Sequence, residues 1–285
     1  MKKNSFIIVV VILIIVILGL CAFIIYDKDL FNIREKNITE NNKKQSVEKV
    51  EEKEEILDVN SKQVNTLINQ IIDSTNNIYI SGSKYFGYYF QKEELDSKNI
   101  DNGIILYTGL KKVLNDKNID TSSQGNISVS KDELIPVIKS IFGDVQYENK
   151  SISITPCDLG KFVYDNNTGI YTAESQGCGG VSTSVIKHKV VDAIKKDNKI
   201  EITLAIVYVD CFSNGTVDYC KFGNGVDENQ KVKEDEMIMD MNMDGKTLDE
   251  IFDINAYIDK LNKYKFTFTK DSNDNYVFTK VEKNK

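Results

Sequence analysis

Residues 5–26, SFIIVVVILIIVILGLCAFIIY, form an uncharged and almost wholly apolar run. A helix that is apolar all round must be buried on every side. At ~1.5 Å rise per residue, a run of about 20 residues matches the ~30 Å hydrocarbon core of a bilayer. A cleaved leader has a shorter apolar region, of about 7–15 residues, followed by a small-residue cleavage site. LGLCAF at 18–23 offers no such site, and Cys21 reads as a residue of the span. Residues 1–26 are therefore expected to be a cytoplasmic tip and a transmembrane signal anchor, making the membrane the first partner of the chain.

Lys2 and Lys3 precede the span while Lys28, Arg34, Lys36, Lys43 and Lys44 follow it, so basic residues alone do not orient it. Cysteine usage does. Beyond the span stand Cys157, Cys178, Cys211 and Cys220, an even number at spacings that suit disulfides, which persist outside the reducing cytosol. The expectation is a single-pass protein of the cell membrane with its C-terminal domain extracellular. A net charge of −7 leaves no basic footprint and argues against nucleic acid as a partner.

Residues 27–60 are dominated by Lys, Glu and Asn and read as a charged stalk. The remaining residues, 61–285, are enough for a sizeable core and read as an extracytoplasmic α+β domain, with a helical part at 61–145 and a β-rich part at 146–285. Val64, Leu67, Ile68, Ile71 and Ile72 recur at helical spacing and predict a helix over 62–74; Leu106, Leu110, Val113 and Leu114 predict another over 102–115. Between them YFGYYF at 85–90 is too aromatic for a loose loop. Ser130 and Glu133 form a capping box that opens a third helix, closed before Gly143, with Pro136 awkwardly inside it.

After about residue 150 the period falls to two. Ile200, Ile202, Leu204, Ile206 and Tyr208 alternate with their neighbours, as do Tyr264, Phe266 and Phe268, which predicts half-buried strands of a twisted antiparallel sheet. Turns are expected at 197–199 and 271–275. A helix at 248–261 is expected to pack on the sheet through Leu248, Ile251, Phe252 and Ile258.

Cys157 and Cys178 are equidistant from the point between Asn167 and Thr168, inside a hairpin-like stretch whose turn ends at Gly169; Cys211 and Cys220 are equidistant from Gly215-Thr216. Residues equidistant from a hairpin turn face each other at disulfide range. The pairs Cys157–Cys178 and Cys211–Cys220 follow, as staples rather than as a zinc site, whose Cys-x2–4-Cys pairs are missing from the sequence.

A cysteine nucleophile needs a base nearby. SQGCGG at 175–180 resembles the Ser-His-Gly-Cys core of cell-wall L,D-transpeptidases, and His188, the one histidine of the chain, stands ten residues beyond Cys178. That resemblance implies a cell-envelope hydrolase or transpeptidase using Cys178 and His188. Gln176, however, occupies the place of the family's histidine and no arginine follows Cys178, so the role is not carried over. His188 alternates with Ile186 and Val190, as a strand-face residue does.

EMIMDMNMDGKTLDE at 236–250 suggests metal handling. Met237, Met239, Met241 and Met243 would share a strand face and offer thioethers to copper. Asp240, Asn242 and Asp244 with Gly245 imitate a calcium loop, but Ile251 falls where the bidentate carboxylate is needed. A turn at Asp244-Gly245 and a Thr247–Glu250 helix cap explain the same residues without metal. No cofactor is expected, and the leading reading is a non-catalytic binding module for a protein or cell-wall ligand.

Overall fold

The computed structural model describes residues 54–76, 85–119, 126–154, 161–174, 183–213 and 218–284, all within one unit, Lys53–Lys285. The anchor at 5–26, Cys157 and Cys178 lie outside the described residues. Among those described, no helix is long and apolar enough to cross a membrane.

The helices form where caps and spacing agree. Helix α1 (Lys62–Ile72) starts on Ser61, whose hydroxyl accepts from the Val64 amide, and buries Val64, Leu67, Ile68, Ile71 and Ile72 on one face. Asp101 caps α2 (Asn102–Asp116) by accepting from the Gly103 amide, and it also accepts from the Tyr85 hydroxyl. Helix α3 (Lys131–Phe142) has the Ser130–Glu133 capping box. Pro136 is tolerated because it faces solvent, where water reaches the Asp132 carbonyl that its absent N–H leaves unpaired.

The chain builds two antiparallel sheets. The larger has eight strands in the order β1 (Glu54–Ile56), β7 (Thr183–Lys196), β8 (Lys199–Ser213), β11 (Asn262–Lys270), β12 (Tyr276–Asn284) and β2 (Glu94–Asp96), with β9 (Asp218–Gly223) also on β8 and β10 (Met237–Asn242) on β9. The smaller is β3 (Asn126–Ser130), β6 (Ile170–Glu174), β5 (Lys161–Asp165) and β4 (Ile152–Ser153). Strands thus occur inside the stretch read as helical. The domain also begins within the stretch read as stalk, because Ile56 pairs with Ile194 and both Leu57 and Val59 pack on the core.

Strand β8 is more deeply buried than alternation predicts. Ile200, Ile202, Leu204, Ile206 and Tyr208 face a core shared with the three helices, while Ala205, Val207, Val209 and Cys211 face a second core. Segment 248–261 covers that second face through Leu248, Ile251 and Phe252, as expected, but with Ile254 and Tyr257 rather than Ile258, and not as one helix. A single turn, α4 (Leu248–Ile251), is followed by a 3-10 helix, Ile254–Lys260, because Asp253 captures the Asn255 amide at 2.9 Å and restarts the chain. Phe252 fills the break, stacked between Phe222 at 4.5 Å and Tyr257 at 5.1 Å between ring centroids.

Helices α2 and α3 touch across Gly109. A Cβ there would stand 2.7 Å from both Ile138 Cγ1 and Leu134 Cδ1, two side chains buried at 1% and 0% exposure. Gly109→Ala gains up to about 1 kcal/mol of helix propensity but overpacks at a cost of about 1–3 kcal/mol. The net result expected is a loss of about 1 kcal/mol, read as a lower denaturation midpoint; a rise would show that the helices do not meet there.

Candidate functional site

Strand β8 changes partner along one edge. It pairs with β11 up to Ile206, opposite Asn262, and with β9 from Tyr208, opposite Gly223. The two neighbours diverge at this fork, and a cleft of about 490 Å³ opens there, within the range of about 300–1,000 Å³ usual for small-molecule sites.

Five separate segments build it. The floor is Tyr208, Tyr264, Phe86 and Phe90, each 2–4% exposed. Asn224 and Asn262 lock the fork: the Asn262 amide donates to Asn224 Oδ1 at 2.9 Å and Asn262 Nδ2 to the Asn224 carbonyl at 3.0 Å. The outer wall is the strap 224–236, which folds back on itself through Asn224 N–H to Glu236 carbonyl at 3.0 Å and Lys233 N–H to Gly225 carbonyl at 3.2 Å. Its middle is held down by Lys231, whose ammonium bonds at 2.9 Å to Asp210, a β8 carboxylate with 4% side-chain exposure.

Gly225 leaves room for the Glu236 carboxylate to rest against the strap, since a Cβ there would lie 2.4 Å from Glu236 Oε2. Glu236 is paired with Lys233 at 2.8 Å, and Lys283 on the other rim lies 3.9 Å from Glu93. The charges of the rim therefore largely cancel.

The two phenols differ. Tyr264 donates to the Phe90 carbonyl at 2.9 Å, and burial, helped by the charges of Glu93 and Glu236, pushes its pKa up to about 12. Tyr208 is held up still further by burial, then by Tyr264 and Glu236. Its hydroxyl makes no hydrogen bond among the described residues.

Those residues singled out from the sequence that are described fall elsewhere. Cys211 and Cys220 form the disulfide expected, at paired positions with Cα atoms 4.1 Å apart. His188 stands on β7 opposite Ile206, half-buried, and burial lowers its pKa. Cys178, its partner in the nucleophile reading, lies outside the described residues.

The methionines do not share one face. A bulge between Met237 and Met239 turns Met237 to the helical side of the sheet, while Met239, Met241 and Met243 pack on the Phe222–Phe252 cluster. Asp240 and Asn242 point the other way, exposed, with Asp240 accepting from Tyr219. Asp244 and Gly245 make the turn, at φ 47° and 76°. Glu250 accepts from the amide and hydroxyl of Thr247, at 2.7 and 2.8 Å, closing the expected cap. Among the described residues no three His, Cys, Asp or Glu side chains gather as a metal site.

Comparison with protein-family models, curated proteins and solved structures finds no match to this chain.

Two outcomes follow from this geometry. Lys231→Met removes the ion pair that ties the strap to Asp210. Discounted for the half-exposed lysine, the loss is about 1–2 kcal/mol, and hydrogen exchange at 224–236 should quicken more than in β11; uniform exchange would show that the pair does not hold the strap. Because Tyr208 and Tyr264 are raised above an ordinary phenol, the folded chain keeps protons that the unfolded chain releases above pH ~10. Their contribution to stability is complete below pH ~10 and falls as pH rises toward 12 and beyond. Denaturation midpoints measured through this range should drop, and drop less in Tyr208→Phe.

Proposed function

We propose that this chain is a binding module without catalytic activity, held by residues 5–26 at the outer face of a cell membrane, where it presents the fork cleft to a protein or cell-wall ligand. The observation that carries the reading is the cleft itself: a polar hollow on an aromatic floor, its walls already fixed by the Asn224–Asn262 and Lys233–Glu236 contacts. Groups held in place before a ligand arrives favour recognition, because little ordering cost remains at binding.

The outward placement is supported by the apolar run and by the Cys211–Cys220 bridge, which suits an oxidising compartment. A second bridge, Cys157–Cys178, belongs to the same reading. Strands β5 and β6 pair Asp165 with Ile170, Tyr164 with Tyr171 and Val163 with Thr172, all equidistant from the point between Asn167 and Thr168. The two cysteines keep that symmetry, each four residues beyond Lys161 or Glu174, the outer ends of the strands. Four residues reach about 13 Å, which lets the sulfurs meet.

Protease added to intact cells carrying the full chain should release the domain, and non-reducing peptide maps of the fragment should join Cys157 to Cys178 and Cys211 to Cys220. A domain protected until the cells are lysed, or an alkylatable Cys178, overturns the proposal.

A further inference from the structure

The Tyr208 hydroxyl is polar, carried on a side chain only 4% exposed, and without a hydrogen-bond partner among the described residues. It lines the cleft and so meets whatever fills it. The Tyr208 hydroxyl is not among the fully buried polar atoms left without a partner, so its oxygen is open to the cleft, where water or a ligand can satisfy it. Its surroundings narrow the choice of ligand.

Glu236 supplies the complementary group. Its carboxylate is held by Lys233 at 2.8 Å and acts electrostatically on both Tyr208 and Tyr264, yet it is hydrogen-bonded to neither. Both groups line the cleft, which therefore presents a donor at Tyr208 on its floor and an acceptor at Glu236 on its strap wall. One functional group serves both at once: a neutral hydroxyl accepts from the phenol and donates to the carboxylate. A phosphate or carboxylate ligand would be repelled by Glu236, and an ammonium ligand would be unable to accept from Tyr208 and would compete with Lys233, already 2.8 Å from the same carboxylate.

Building on the binding-module reading, we infer that the cleft binds a neutral polyhydroxylated ligand, a saccharide, with Tyr208 and Glu236 bridged by a ligand hydroxyl. The remaining hydroxyls of a saccharide suit the polar lining of the cleft and the cancelled charges of its rim. The volume, about 490 Å³, fits a ligand of small-molecule size rather than a folded partner.

The test uses the full chain in lipid nanodiscs, which avoids sugar-headed detergents. Glucose, N-acetylglucosamine and their short β-linked oligomers are titrated by calorimetry, with inorganic phosphate and ethylammonium as charged probes. At least one saccharide should bind. Tyr208→Phe, which removes one oxygen and no established contact, should keep the denaturation midpoint and weaken binding about fivefold to tenfold, as one lost hydrogen bond does. Glu236→Gln should weaken it about tenfold or more, because a charge-assisted bond is lost.

Absence of saccharide binding, or equal binding by both variants, overturns the inference. Variant-sensitive binding of phosphate or ethylammonium alone overturns the ligand class and leaves the binding-module reading standing. Recovery of a cleaved oligosaccharide supports the ligand class and overturns the non-catalytic reading.

Discussion

Burial of β8 on both faces is the constraint on which the rest of the domain depends. One face packs against α1 to α3 and the aromatic segment that includes Tyr89 and Phe90; the other packs under Phe252 and the segment around it. At roughly 25 cal/mol per Å² of apolar surface, a strand covered twice is the largest local source of hydrophobic stabilisation available to a sheet protein. Covering it requires both layers, so the 248–261 segment and the helices are parts of one core problem. The Cys211–Cys220 bridge joins β8 to β9 within the second core, and it fixes the register of the strand that leads into the strap.

Much of this architecture was legible in local chemistry. The 62–74 and 102–115 helices, the Ser130–Glu133 and Thr247–Glu250 caps, and the turns at 197–199 and 271–275 rest on interactions between residues a few positions apart, and these are written directly in the sequence. The two-sided burial of β8 was readable in part, since from Leu204 to Val209 both alternating sets are apolar. What stayed hidden depends on tertiary pairing. The bulge between Met237 and Met239 has no residue of its own to announce it, yet it divides the methionines between two faces. The small turn at Asp253 was likewise masked by a periodic run of apolar residues on either side, because periodicity reports which residues are buried and not whether the helix between them is continuous.

The cleft was out of reach for a related reason. Its parts come from 86–93, from β8, from 224–236, from β11 and from β12, and they meet because β8 trades β11 for β9 between Ile206 and Tyr208. The one local trace is Gly223-Asn224-Gly225, where two positions without a Cβ let the strap lie against its own return. Tyr208 looked like one more inward residue of an alternating strand. Alternation set its direction, and the loss of a neighbouring strand set its environment: the residue before the fork, Ile206, is closed over by β11, whereas the next residue on that face meets a gap. A tyrosine there buries its ring with the core and leaves its oxygen at the opening, the division of labour that an amphipathic side chain permits at an apolar boundary. The same partner exchange that interrupts the sheet therefore also produces the polar group best placed to recognise something within it.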